Sequence, residues 1–99
     1  MLSPAENALA KALKNAVIAL VKNGEGKNLP EGLLDTAKLL ESYEGWDALP
    51  AAEKAVRIAE LRRECAPGTD IEKFFKEYPH PFTRSHYEAL SAALAAIPS

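Results

Sequence analysis

A single cysteine, Cys65, stands among 99 residues, so no internal disulfide can close and a disulfide scaffold of the secreted kind is excluded. The five glycines, at 24, 26, 32, 45 and 68, have no spacing that would cradle a phosphate. No apolar run is longer than that of Ala16 to Val21, far shorter than the ~20 residues that a membrane helix needs. Met1-Leu2-Ser3-Pro4 offers neither the basic start nor the apolar stretch of a signal peptide. Together these absences predict a cytoplasmic protein with no membrane part. Positive charge is scarce too: 12 Lys and Arg face 14 Asp and Glu, for a formal net charge of −2. Domains that live on nucleic acid usually carry a basic face, because affinity comes from displacing counterions from phosphates. No segment here is strongly basic, and the most polarised, residues 30–49, has one Lys against five acids.

What is present is ordinary for a folded domain: 47% hydrophobic and 26% charged residues. The length suits one domain over residues 1–99, with a core that requires neither metal nor disulfide. Apolar residues recur at helical spacing and nowhere at a period of two. Ser3-Pro4-Ala5-Glu6 is a capping box for a first helix that stops at Asn23-Gly24, with Leu9, Leu13, Ala16, Val17 and Leu20 inward. Pro30 opens a second helix, ending at Glu44-Gly45, with Leu33, Ala37, Leu40 and Tyr43 inward and Trp46 folding back on its last turn. A third runs from Pro50 to about Glu64 and buries Ala55, Ile58, Leu61 and Cys65. Thr69-Asp70-Ile71-Glu72 caps a fourth with Ile71, Phe74, Phe75 and Tyr78. A fifth starts near Thr83 or Ser85 and carries Tyr87, Leu90, Leu94 and Ile97. The expected fold is all-α: a compact orthogonal bundle of about five helices with no sheet.

Residues 69–97 raise the question of a DNA-reading helix-turn-helix. Tyr78 and His80 each precede a proline, which pushes them out of helical conformation and makes a rigid corner. On that alternative, Thr83, Arg84, Ser85 and His86 would face base edges. Glu77 and Glu88 flank that turn and the local charge is acidic, which favours a proline-stiffened corner between packed helices. Metal and cofactor sites find no support: His80 and His86 lack the i, i+4 spacing of a helical zinc pair, and one cysteine is a thin supply. Cys65 has no evident base or oxyanion hole, so catalysis is not expected.

Two surfaces stand out instead. At 100° per residue Ile18 points away from the Leu9/Leu13/Leu20 stripe, among Lys11, Lys14, Asn15 and Lys22. An apolar anchor ringed by polar groups is the anatomy of a binding hot spot. On the second helix Glu31, Asp35 and Glu41 share an outward side and form an acidic patch suited to a basic partner. Ala89, Ala92, Ala95 and Ala96 give the last helix a smooth outer face, which leaves a homodimer contact open. In size, acidity and helical character the whole chain resembles small inhibitors of phages and mobile elements, the anti-CRISPR proteins among them. That resemblance implies a protein that binds a bacterial ribonucleoprotein effector complex and blocks nucleic-acid access; it assigns no residues. The expected function is thus a non-enzymatic protein-interaction module. A small transcription regulator and an adaptor subunit of a larger assembly are the alternatives.

Overall fold

Six helices occupy the described residues, and no strand is among them: α1 (Pro4–Lys22), α2 (Glu31–Glu41), α3 (Glu44–Asp47), α4 (Ala51–Glu64), α5 (Asp70–Glu77) and α6 (Pro81–Ala96). The computed structural model describes residues 2–22, 24, 27, 29–77 and 81–98, with the side chains of 81–83 excepted. The chain is the all-α bundle that its helical spacing predicts. α1 packs against both α6 and α2, α2 packs against α4, and α5 against α6. The core they enclose is aliphatic around two aromatics, with Leu9, Leu13 and Leu20 of α1 meeting Leu33, Trp46, Leu61, Phe75 and Leu90. A radius of gyration of 12.8 Å is what a single domain of about this length should have.

Local chemistry sets most of the ends. The Ser3 amide donates to Glu6 Oε1 at 2.9 Å, while the Glu6 amide donates to Ser3 Oγ at 3.1 Å. That reciprocal pair is a complete capping box for α1. Gly24 takes φ +83° and its amide donates to the Val21 carbonyl at 3.1 Å, a left-handed stop that costs a residue without Cβ nothing. Gly68 is also left-handed, at φ +88°, in the turn between α4 and α5.

Several expectations are corrected. The second helix is two pieces, because a turn at Ser42 and Tyr43 separates α2 from the single-turn α3. Gly45 lies inside α3 with ordinary φ, since positive φ among the described residues occurs only at Gly24 and Gly68. The left-handed glycine that a Schellman contact of Trp46 requires is therefore absent. Trp46 is buried to 1%, and its indole Nε1 donates to Glu6 Oε2, so the break delivers the indole to the first turn of α1. The same break turns Tyr43 out to 51% exposure, and Ala55 also faces solvent rather than the core. At the start of α5, Glu72 accepts from the Gly68 amide at 2.9 Å and the Thr69 hydroxyl donates to the Ala66 carbonyl at 2.6 Å. The carboxylate thus reaches one residue further back than a Thr69 box would place it. α6 begins at Pro81, since proline is favoured in a first helical turn, so Ser85 lies inside the helix and caps nothing. Tyr78, Pro79 and His80 lie outside the described residues, as do Asn23 and Met1.

Candidate functional site

α1 carries Asn7, Lys11, Lys14 and Ile18 along one side, three or four residues apart. Ala10 and Val17 lie beside that row, on the flank turned toward α2. From α2 come Leu34, Ala37, Lys38, Leu40 and Glu41. Between the two helices runs a groove of about 550 Å³ with an aliphatic floor and a charged rim. Leu33 and Leu40 turn inward from α2 and anchor it to the core, which leaves Leu34 and Ala37 half-covered as the groove's wall. Ile18, 42% exposed, stands at the rim with its branched end available. The groove continues past Asn7 and Ala10 into a depression bordered by Leu2, Leu40, Glu41 and Tyr43. Because Asn7 and Ala10 share that end with Leu40 and Glu41, the two helices run in opposite directions along the groove. Val21, 53% exposed, follows Val17 by one turn of α1 and lies outside the groove's lining.

Exposed large apolar side chains are few among the described residues: Ile18, Val21, Tyr43 and Val56. Two of the four, Ile18 and Tyr43, line this groove and its continuation. Scattered exposed apolar residues need no explanation, but two of them on one aliphatic groove are worth a functional reading. Lys11, Lys14 and Lys38 surround its middle, and none of the three is held in an ion pair among the described residues.

The sequence-predicted residues divide between two faces. Ile18, Lys11, Lys14 and Glu41 line the α1–α2 groove. Lys22 is exposed in the last turn of α1, outside that lining. Glu31 and Asp35 do not join Glu41. They lie on the other flank of α2, where they meet Glu53, Val56, Arg57 and Glu60 of α4 in a polar depression of about 300 Å³. The shared acidic side is thereby corrected, since Glu41 falls roughly 100° around the helix from the other two. Val56 is 64% exposed at that second site, and the sequence holds its signal: an aliphatic residue among Glu53, Lys54, Arg57 and Glu60, the same pattern that marks Ile18. Lys38 and Tyr43 were not foreseen as site residues, because only the packing of α2 on α1 brings them to the groove.

Gly32 faces the carboxyl ends of Glu60 and Glu64 on α4. A Cβ there would fall 1.8 Å from Glu60 Oε1 and 3.2 Å from Glu64 Oε1, so the absent side chain leaves room for both carboxyls. Burial, then the neighbouring Glu60, pushes the Glu64 carboxyl above its ordinary range.

Of the residues weighed for chemistry, Cys65 is buried, and burial pushes its thiol up to about 12. Its carbonyl accepts from the Tyr87 hydroxyl at 2.8 Å. Thr83, Arg84, Ser85 and His86 all lie within α6; Arg84 and Ser85 are exposed and His86 is half-buried. Among the described residues no three His, Cys, Asp or Glu side chains converge as metal ligands, and no helix is long and apolar enough to cross a membrane. Arg62 is half-buried and, among the described residues, is held in no ion pair. Its Nη2 donates to the carbonyls of Leu94 at 2.8 Å and Ile97 at 2.7 Å and so caps the end of α6. Comparison of the chain with family models, curated proteins and solved structures gives no match.

Proposed function

We propose that this protein is a non-enzymatic interaction module that seats apolar side chains of a protein partner in the α1–α2 groove. One observation carries the reading: Ile18 and Tyr43, large apolar side chains left exposed, stand along one groove with an aliphatic floor. Such sites bind through a few buried anchors, and the charged rim supplies register rather than most of the affinity. The thiol of Cys65, buried and protonated at neutral pH, gives no support to a nucleophilic alternative.

The test places a photo-crosslinking benzophenone amino acid at position 18 and, separately, at position 56. Both proteins are irradiated in a lysate of the cells that make the protein. Position 18 is expected to yield a discrete crosslinked protein that Lys14→Glu weakens and free wild-type protein competes away. A crosslink from position 56 alone moves the interface to the other face, and none from either removes the reading.

A second reading rests on that other face. Glu31, Asp35, Glu53 and Glu60 surround Val56 and Arg57, a charge pattern suited to a basic, nucleic-acid-handling surface on another protein. Together with the chain's size and net charge of −2, it favours an inhibitor that occupies a bacterial effector complex of the CRISPR kind and blocks nucleic-acid access. On this reading Asp35→Lys with Glu53→Lys abolishes inhibition of such a complex, and Ile18→Glu leaves it unchanged. Inhibition that survives the double change would end it.

A further inference from the structure

Resting on the groove as a protein-binding site, the geometry points to its occupant: we infer that the α1–α2 groove receives an amphipathic helix whose apolar stripe is flanked by carboxylates. Length argues for a helix. From Asn7 to Ile18 the groove follows α1 for roughly 16 Å, about three helical turns. Its lining alternates between two antiparallel helices, an arrangement that a third helix fills by laying side chains at i, i+3 or i+4 and i+7 into it. An extended strand would bring a row of backbone N–H and C=O groups to a floor of Ala10, Val17, Leu34 and Ala37, whose aliphatic side chains cannot pair with them. A helix arrives with those groups already satisfied.

Charge argues for the flanks. Lys11 and Lys14 stand on one rim and Lys38 on the other, all three exposed and none in an ion pair among the described residues. A helix lying between them meets lysines on both sides, so it pairs best with Glu or Asp on each edge of its apolar stripe. The single rim carboxylate, Glu41, sits at the Tyr43 end. It marks where the bound helix gains nothing from a further acid and would accept a basic residue. The polarity of the rim thus sets orientation as well as sign.

The experiment uses two stapled peptides of about fourteen residues, because an unstapled helix of that length is marginal in water. Both carry Leu at i, i+3 and i+7. One has Glu and the other Lys on each edge of that stripe, and binding is followed by fluorescence anisotropy on the full chain. The Glu-flanked peptide is expected to bind about tenfold more tightly than its Lys-flanked counterpart, as three rim pairs of modest individual strength would give. The variant Lys14→Glu with Lys38→Glu should reverse that preference. Both changes are at exposed positions, and helical circular dichroism confirms that each protein is folded. Ile18→Glu should weaken both peptides by more than about tenfold, since a charge would replace the apolar contact. Equal affinity for the two peptides, or a preference for the Lys-flanked one, overturns the inferred occupant. So does failure of both to bind, or a random DNA duplex competing at the same lysines. A crosslink from position 18 alongside such a failure shows that the groove binds protein and that only its occupant was misjudged. Absence of that crosslink removes the groove itself.

Discussion

Glu64 has one carboxylate oxygen, Oε2, buried with no hydrogen-bond partner among the described residues, and its carboxyl is pushed above the ordinary value of 4.5 by burial and then by Glu60. An acid whose folded pKa is raised holds its proton more tightly in the folded state. Its stabilising contribution is therefore full below 4.5 and is lost as pH rises through the raised value. Glu64→Gln should remove that loss, so melting curves of the variant lie above wild type at neutral pH and converge with it in acid. The gain is modest, because the group keeps part of its hydration. A variant that melts lower at neutral pH would show the carboxylate to be better satisfied than its geometry allows. At the neighbouring position burial acts on a thiol. With a value of about 12, Cys65 is thiolate at neutral pH in roughly one molecule in 10⁵. Iodoacetamide should leave the native protein unlabelled over a period that modifies the guanidinium-unfolded chain completely. Equal labelling rates would mean that the thiol is open in the native state.

Helix ends show which parts of the fold are legible in the chain itself. The Ser3 box and the glycines at 24 and 68 act through neighbours within four residues, and each is found where local chemistry puts it. The break after α2 and the cap on α6 are not local. Trp46 donates to Glu6 across forty residues, and Arg62 donates to carbonyls thirty-two and thirty-five residues on, so no spacing rule exposes either. The same holds for Tyr43, whose helical register marks it as core until the turn at Ser42 and Tyr43 rotates it out. Both long-range bonds can be measured. Arg62→Met keeps the apolar stem and deletes both donors, leaving carbonyls at the end of α6 without their partner; urea unfolding should show a loss of about 1–3 kcal/mol. Unchanged stability would mean that water serves those carbonyls equally well. Glu6 is held below its ordinary range chiefly by the Ser3 amide, with the Trp46 indole adding to it. A depressed folded pKa stabilises above 4.5 and ceases to do so as pH falls through the lowered value. Trp46 is the chain's one tryptophan, so its emission reports the junction directly. The acid transition of that emission should flatten in Glu6→Gln.

Across α2 the molecule changes sign. One flank faces a groove rimmed by Lys11, Lys14 and Lys38, and the other faces a depression holding Glu31, Asp35, Glu53 and Glu60. Ile18 was legible as an anomaly because helical angles alone set it apart, but the groove beside it was not, since its far wall belongs to another helix. The near-balanced charge of −2 conceals this division, and it bears on the regulator alternative, which needs many phosphate contacts on one face. Each phosphate neutralised contributes about 0.9 to the fall of log affinity with log salt. The helix-turn-helix segment offers Lys73, Lys76 and Arg84, with Lys73 paired to Glu77, Lys76 to Glu72 and Glu88 one turn from Arg84, which is fewer than the six to ten contacts of a strongly salt-dependent binder. Titrating a labelled random duplex of about 20 base pairs should therefore give no micromolar binding near 150 mM salt, and a slope no steeper than about −3 at lower salt. Arg84→Ala should leave that slope unchanged, because the residual attraction comes from α1 and α2. A slope steeper than about −5, reduced by Arg84→Ala, would instead place a nucleic-acid surface on α6 and leave the α1–α2 groove without its proposed role.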